Sequence, residues 1–499
     1  MQARIQQILN SLSIENSEYY SRFLIKWSFI GLMIHLVAAF FSAGFHHYDE
    51  HWQILEFMSA HLGKTPFQEL PWEYTHRMRS WAQPGIYYFL AKILNIFDIN
   101  NPFTLATIFR IFSSLLGWLS ILVLSVISLI VFQKNNEKTW AIRLLNLLYF
   151  IPFIHARASS EGMSSSFYVL GLGLLIISSH LEKANKKLFR GQALVIGCIM
   201  GCSFLFRFQM GFSILFSWIW YCIWGSKLIK YKIMLAAGVV IAMLLEVPID
   251  YWGHGEVTFA PWNYLNQNLI QGKASTFYTS PWYDYIEKAL IKGIPPISIL
   301  IVGSWLLFWV KKWKSPLTWG TFPMFLVHTL IPAKALRYLF PIAPLSPLIL
   351  IGCASLFSNK FLTRIKPFLL FCFYLNFILL IGVCLLPART SVLLYKYIYQ
   401  HSHKIKEVYY SGNNPYELVG LPIHFYRPEK LSLKKITDFS AIPLPAWIIT
   451  KRGSQFLALK NRSNCKIAYS IYPNFIINTL EKKKWFKKTK VWSLFKCSK

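Results

Sequence analysis

The chain has 499 residues, of which 55% are hydrophobic and 17% aromatic, and its mean hydropathy is positive. Its formal net charge is +31, but the Lys and Arg residues lie in short segments between apolar runs and in a C-terminal tail, which indicates membrane topology and lipid headgroups rather than nucleic-acid binding. The composition argues against an ordinary soluble domain and predicts a polytopic membrane protein.

The chain begins with a polar segment, residues 1–22, that has the pattern of an amphipathic helix. The segment lacks a basic region followed by a short apolar stretch and a small-residue cleavage site, so we expect the first span to be retained. We predict that residues 1–22 are cytoplasmic and that residues 23–387 form a transmembrane domain.

Hydropathy and the positive-inside rule together predict about eleven spans. Five short loops are basic and should share the cytoplasmic side, namely 133–140, 181–190, 225–232, 311–314 and 359–366. This condition is met by spans near 23–44, 103–132, 142–156, 162–180, 193–206, 211–224, 233–249, 297–310, 317–331, 338–357 and 367–387. Residues 84–97 must then be re-entrant or interfacial, because a further span would place at least two basic loops on the wrong side.

The first outer loop, residues 45–102, opens with the stretch HHYDEHWQ at 46–53. A carboxylate at the boundary of water and lipid can have its ionisation tuned and can reach a hydroxyl presented from outside, so Asp49 or Glu50 would suit a general base. The plainer interpretation is an interfacial loop whose acids are solvated anchors. The three histidines of the stretch lack the spacing of metal ligands, and the sequence indicates no metal site.

A second long outer loop, residues 250–296, is rich in Trp, Tyr and Asn. Aromatic faces and amide donors are what proteins use to hold a sugar or a polar headgroup. An aromatic belt at the membrane interface is the alternative, although long loops without clear helices are usually functional.

Cations occur at span ends on the same side as the acids. Lys334 and Arg337 could clamp a phosphate, Lys as a point charge and Arg by bidentate hydrogen bonds, or could simply snorkel to lipid headgroups. At other span ends, Arg157, Glu161, Arg207 and Gln209 could line the same cavity or pair with one another.

From residue 388 the chain becomes a Lys-rich tail with short alternating runs, which predicts a small mixed α/β domain over 388–499. The span count places this basic domain outside the cytoplasm. Of the eight cysteines, only Cys465 and Cys497 lie in polar sequence, and they could pair if the tail faces an oxidising compartment.

Three stretches, in order over roughly residues 40–345, resemble the glycosyltransferase family 22 mannosyltransferases, the GT-C enzymes of GPI-anchor and N-glycan assembly. HHYDEHWQILEF with WEYTHRMRSW is similar to the first outer loop of that family. Residues 250–285 are similar to its Asn- and Pro-Trp-containing segment, and AKALRYLFPIAPL resembles its His-Lys-Glu-x-Arg-Phe element. Tyr48 stands where the family has Pro, and Ala333 and Ala335 replace the His and Glu beside Lys334.

The resemblance implies an all-α, GT-C-like membrane protein that transfers mannose, with inversion, from a polyprenyl-phosphate donor to a glycan or glycolipid acceptor on the non-cytoplasmic face. The membrane would be the bacterial inner membrane or the endoplasmic reticulum. The expected partners are the lipid-linked donor, the acceptor and membrane lipids, without a cofactor or nucleic acid. The alternative is a lipid-linked oligosaccharide flippase or transporter, which would not release polyprenyl phosphate.

The resemblance also implies roles for individual residues. Asp49 would act as the base and Glu50 would orient it or the acceptor, while Lys334, Arg337 and Arg207 would bind the donor phosphate. The residues implied to shape the sugar and acceptor sites are Trp72, Glu73, Trp262, Asn263, Trp282 and Tyr283.

Overall fold

The structure, a computed structural model, describes residues 2–186, 191–437 and 442–499. Part of the predicted basic loop 181–190 lies outside these residues. The chain forms two compact units. The first, called here the helical unit, comprises Met1–Ser42, Glu73–Ile86 and Ile108–Leu386, and the second, the sheet unit, comprises Ala43–Trp72, Tyr87–Thr107 and Pro387–Lys499.

The described part of the chain has five helices that are long and apolar enough to cross a membrane, and the protein is a membrane protein. They are Ser17–Phe41, Pro102–Val131, Ser160–Lys183, Ile229–His254 and Lys366–Leu385. Shorter apolar helices are Gln192–Phe206, Met210–Gly225, Ile297–Lys311 and Ala343–Ala354. Five predicted spans are thus confirmed as helices of sufficient length, while the total of eleven stays a prediction.

One of the predicted spans is interrupted. The span at 142–156 falls on two helices, Asn135–Leu147 and Phe150–His155, with a break at Leu148. In an unbroken helix the ring of Pro152 would collide with the carbonyl four residues earlier, which is that of Leu148. Residues 84–97, which are predicted to be re-entrant or interfacial and not a span, lie mostly in one helix, Ala82–Asn95. Its 14 residues extend about 21 Å, too short to cross a hydrocarbon core of about 30 Å.

The remaining helical elements mostly connect or flank these spans. In the helical unit they include Gln2–Ser11, Pro316–Leu330, Asn359–Arg364 and, within the second outer loop, Ala260–Leu265, Lys273–Phe277 and Asp284–Lys292. The second outer loop is therefore a chain of short helices. The span Ile229–His254 itself consists of two helices, Ile229–Leu244 and Glu246–His254. Close helix packing relies on small residues, since a Cβ added at Gly197 would collide with the carbonyl of Leu235 on the adjoining span.

The sheet unit contains the predicted mixed α/β tail. Its strands are β1 Glu407–Ser411, β2 Glu417–Leu418, β3 Leu421–Pro422, β4 Ser432–Ile436, β5 Ala446–Arg452, β6 Cys465–Ser470 and β7 Lys490–Cys497. Five of them form a sheet in the order β4-β1-β5-β7-β6, parallel on the β1 side and antiparallel around β7. Helices Ser391–Gln400, Gly453–Lys460 and Asn474–Leu480 lie in the same tail, and the first loop adds the short helical segments His51–Glu56 and Phe57–His61 to the unit. The core of this domain includes Ile448, Phe456 and Phe495.

Cys465 and Cys497 form a disulfide that joins neighbouring positions of β6 and β7. The other six cysteines are free thiols, which agrees with their apolar sequence surroundings. The two residues are thus the pair that the sequence predicts. That prediction also requires the tail to face an oxidising compartment.

We expect Cys465→Ser to lower the free energy of unfolding of the sheet unit by about 2–4 kcal/mol, because the bond closes a loop of 32 residues. Thermal unfolding of the full-length variant, with Cys372→Ser as the control, would measure the loss. Equal melting temperatures for the wild type and Cys465→Ser would show that the bond contributes no stability.

Candidate active site

The predicted base lies in a single turn, Tyr48–Glu50, that follows the first span. The carboxylate of Glu50 is buried and accepts hydrogen bonds from the backbone N–H groups of His46 and His47, at 3.0 and 3.2 Å. The backbone N–H of Asp49 donates to Nδ1 of His47 at 3.3 Å. Glu50 therefore fixes the turn that carries the half-buried Asp49.

A second carboxylate of the same loop, Glu56, is fully buried in the sheet unit. It accepts from the hydroxyl of Thr65 at 2.6 Å and from the backbone N–H groups of His424 and Phe425 at 3.0 and 3.1 Å, and it lies 2.8 Å from Nε2 of His51. Burial raises the pKa of Glu56, but the contacts with His51, with the Thr65 hydroxyl and with the backbone N–H of Phe425 outweigh it and hold the pKa below its usual value. Glu56 thus joins the first loop to the tail.

Glu56 is not among the residues that the sequence predicts for the site. The available signal was a lone carboxylate within the apolar run ILEF, because an acid in such a run needs internal partners. Two of those partners, the backbone N–H groups of His424 and Phe425, come from residues more than 360 positions further along the chain, and no local pattern reveals them.

We expect Glu56→Gln to raise the amide exchange rates of His424 and Phe425 about a hundredfold, because their buried N–H groups lose a charged acceptor and such hydrogen bonds contribute up to about 3 kcal/mol. Hydrogen exchange of the full-length protein, read by mass spectrometry, would measure the change. Glu69→Gln is the matched control, since Glu69 also pairs with His424, at 2.6 Å, but is half-exposed and should matter little.

Acid should act on the wild type as the substitution does. Because the pKa of Glu56 is lowered on folding, its contribution is complete above the usual value of 4.5 and is lost as the pH falls through the lower folded-state pKa. Amide protection that persisted in Glu56→Gln at pH 7 would contradict the role of the charge.

Two of the three predicted phosphate-binding cations meet in the helical unit. Nη2 of Arg207 and Nη1 of Arg337 each lie 3.1 Å from Oε1 of Glu161. Both guanidiniums also lie over the ring of Tyr338, 5.3 and 5.2 Å from its centroid. Glu161 and Arg207 are buried, and the three groups together carry one positive charge in excess.

Three helix ends create this arrangement. Glu161 lies in the first turn of Ser160–Lys183, Arg207 ends the helix Gln192–Phe206, and Arg337 lies in the short 3₁₀ turn Leu336–Leu339. Guanidiniums held in place beside one carboxylate can bind an anion with directed hydrogen bonds. Of the two arrangements that the sequence allows for Glu161 and Arg207, a shared cavity or a mutual pair, the structure shows the pair.

Lys334 has different partners from these arginines. It is buried, and its ammonium donates to the carbonyls of Ser280 and Ile331 at 3.0 and 2.7 Å. Burial lowers the pKa of Lys334, and the nearby Asp284 carboxylate opposes that shift. Asp284 pairs with Lys288 at 2.6 Å, and Lys288 also donates to the carbonyl of Lys334. Lys334 therefore links the second outer loop to the start of the Arg337 segment.

The residues predicted to shape the sugar sites lie in several environments. Trp262, Trp282 and Tyr283 are exposed on the second outer loop. Asn263 donates its amide to the carbonyl of Arg77 at 3.0 Å.

The other two residues predicted to shape the sugar sites, Glu73 and Trp72, belong to different units. Glu73 is buried in the helical unit and lies 3.5 Å from Arg79. Trp72 is half-buried in the sheet unit.

Asp250 is a further buried acid that the sequence prediction did not assign a role. Its carboxylate accepts from the backbone N–H groups of Ala260 and Trp81, at 2.9 and 3.4 Å. It thereby connects the segment 72–81 with the second outer loop, the two stretches that carry part of the family resemblance. The signal available was an acid at the end of an apolar run.

The model of the Alg9-like mannosyltransferase family matches residues 26–426. GPI mannosyltransferase 3 of Candida albicans is 24% identical over 302 residues, which cover 60% of this chain and 57% of that relative. GPI alpha-1,2-mannosyltransferase 3 of Homo sapiens is 24% identical over 362 residues, which cover 69% and 59%. The chain thus spans somewhat more than half the length of these relatives.

ArnT from Cupriavidus metallidurans has a similar structure, both in the apo state and bound to undecaprenyl phosphate. In each state the TM-score is 0.55 at 11% sequence identity, with 95% of this chain and 98% of that chain covered. The likeness confirms the predicted GT-C-like fold.

Proposed function

The chain belongs to the Alg9-like mannosyltransferase family, and on that premise we propose that it transfers a mannosyl residue from a polyprenyl-phosphate donor to a glycan or glycolipid acceptor, with inversion. The observation that carries the proposal is the pair of arginines on Glu161, since such a donor needs cations for its leaving phosphate. The undecaprenyl phosphate bound by the similarly folded ArnT supports this class of donor.

In the proposed reaction, Asp49 takes the proton of the acceptor hydroxyl, whose oxygen attacks the anomeric carbon of mannose. The bond between that carbon and the phosphate oxygen breaks, and polyprenyl phosphate leaves with the electron pair. Attack from the face opposite the leaving group inverts the anomeric centre. The hydrogen bonds that fix Glu50 keep the turn, and thus Asp49, in one conformation.

Arg207 and Arg337 serve the leaving group. Negative charge grows on the phosphate as the bond breaks, and fixed guanidiniums stabilise that charge more in the transition state than in the ground state. Lys334 donates to two carbonyls, so its proposed part is to hold the segment before Arg337 while it adds positive charge nearby. Trp262, Trp282 and Tyr283 offer exposed rings for sugar faces.

We propose the non-cytoplasmic face of the membrane for the reaction. The disulfide of the tail supports this side, because such bonds persist in oxidising compartments. The five basic loops predicted to lie on the cytoplasmic side support the same orientation.

The test is a product assay with full-length protein in proteoliposomes, given polyprenyl-phosphate [14C]mannose and candidate glycolipid acceptors. We expect labelled acceptor and polyprenyl phosphate to appear in equal amounts, and only when the acceptor is present. Polyprenyl-phosphate glucose is the matched control donor. Movement of an intact lipid-linked sugar across the bilayer without release of polyprenyl phosphate would overturn the proposal in favour of a transporter.

A further inference from the structure

A cavity of about 800 Å³ lies wholly within the sheet unit and has a strongly basic lining. Its walls come from two positions of the first loop, Lys64 and Pro102, from the end of helix Ser391–Gln400 with the turn after it, and from residues 424–431. The basic side chains that line it are Lys64, His403, Lys406, His424, Arg427 and Lys430. No role described above uses this cavity.

We propose that the basic cavity binds a phosphate group carried on a sugar-sized polar body. Four of its lining residues are Lys or Arg, whereas Glu429 is the one acidic residue that lines it in the described part of the chain. Like charges gathered around a concave space raise its potential, so an anion that enters relieves their repulsion. The volume is of the size that accommodates small polar ligands.

The walls of the cavity are held by hydrogen bonds. Arg427 donates to the carbonyl of Leu431 at 2.8 Å, which closes the turn between them. The ring of His424 lies 2.6 Å from Glu69, while its backbone N–H reaches the buried Glu56. A site that is formed before its ligand arrives loses less entropy on binding.

The same contacts connect the basic cavity with the proposed catalytic loop. His424 lines the cavity, and Glu56, its backbone partner, follows Asp49 by seven residues. A phosphate in the cavity would therefore lie in the unit that carries the proposed base. Two sources share this chemistry, a phosphorylated glycan and the headgroup of an anionic lipid, and binding to either is independent of the transfer reaction.

The test measures binding without any sugar donor, so its result is separate from that of the product assay. Equilibrium dialysis of full-length protein in neutral detergent would use labelled mannose 6-phosphate, with mannose as the uncharged control. We expect binding of mannose 6-phosphate alone, weakened as NaCl rises. The double variant Lys406→Gln/Lys430→Gln should bind at least tenfold more weakly, because it lacks two charge-assisted contacts.

The matched control is Lys404→Gln/Lys435→Gln, which removes two exposed lysines of the same unit that do not line the cavity. It should bind as the wild type does. Competition by phosphatidylglycerol added to the detergent micelles, but not by phosphatidylcholine, would support a lipid headgroup as the ligand, and absence of competition would support a phosphorylated glycan. Equal binding by the two double variants, or none by the wild type, would overturn the proposal.

Discussion

Asp49→Asn is expected to lower the transfer rate at least a hundredfold at equal protein level, with little change in KM. Asparagine keeps the shape of the side chain but cannot accept the proton of the acceptor hydroxyl, and general-base catalysis contributes roughly a hundredfold to ten-thousandfold. The hydrogen bond from Asp49 to His47 uses the backbone N–H, so the substitution leaves it in place. The measurement is the initial rate of [14C]mannose transfer in proteoliposomes.

Glu50→Gln serves as the comparison within the same turn. The Glu50 carboxylate accepts two backbone hydrogen bonds, and glutamine retains one acceptor oxygen for them. We expect a loss of about tenfold through a looser turn, far less than for Asp49→Asn. If Asp49→Asn transfers mannose at the wild-type rate, Asp49 is structural and the base is another residue.

The sequence was sufficient for the long spans because hydropathy is a property of contiguous residues. The runs that become Ser17–Phe41 and Pro102–Val131 are apolar throughout and long enough to cross the bilayer. Hydropathy does not reveal a break within an apolar run. At 142–156 one apolar run forms two helices, because Pro152 cannot continue the first of them. The strands of the tail were recognisable as alternating runs, whereas their order in the sheet depends on contacts between distant segments.

The sequence indicates site residues where a charged side chain at a span end would be energetically unfavourable without a functional or structural partner. Charged residues at span ends are expensive unless they have partners, which directed attention to Arg207 and Arg337. Nothing local indicates that both contact the same oxygen of Glu161, because Glu161 is 46 and 176 residues away from them in sequence. Glu56 could not be predicted for the same reason, since two of its partners, His424 and Phe425, are distant in sequence.

The contact of both arginines with the carboxylate of Glu161 leads to a prediction about the donor site. Glu161 keeps two guanidiniums close together that would otherwise repel each other, and it neutralises only one of their charges. A phosphate that arrives there meets preorganised donors, and the protein need not reorganise as the charge develops. The arginines should therefore act mainly on the rate of the chemical step.

We expect Arg337→Gln to lower kcat at least a hundredfold and to change KM much less, since removing one preorganised donor to a developing anion costs about a hundredfold to a thousandfold. Arg337→Lys should recover only part of the loss, because an ammonium lacks the planar fork that binds two phosphate oxygens. Steady-state kinetics with varied polyprenyl-phosphate mannose would separate kcat from KM.

Arg77→Gln is the matched control, since Arg77 is an exposed arginine of the helical unit that pairs with Glu256 on the second outer loop. Exposed pairs contribute little, so its kinetics should match the wild type. If Arg337→Gln changes only KM, Arg337 stabilises the donor equally in the ground state and in the transition state. Wild-type kinetics in Arg337→Gln would show that the arginine pair on Glu161 stabilises the fold and has no part in the departure of the phosphate.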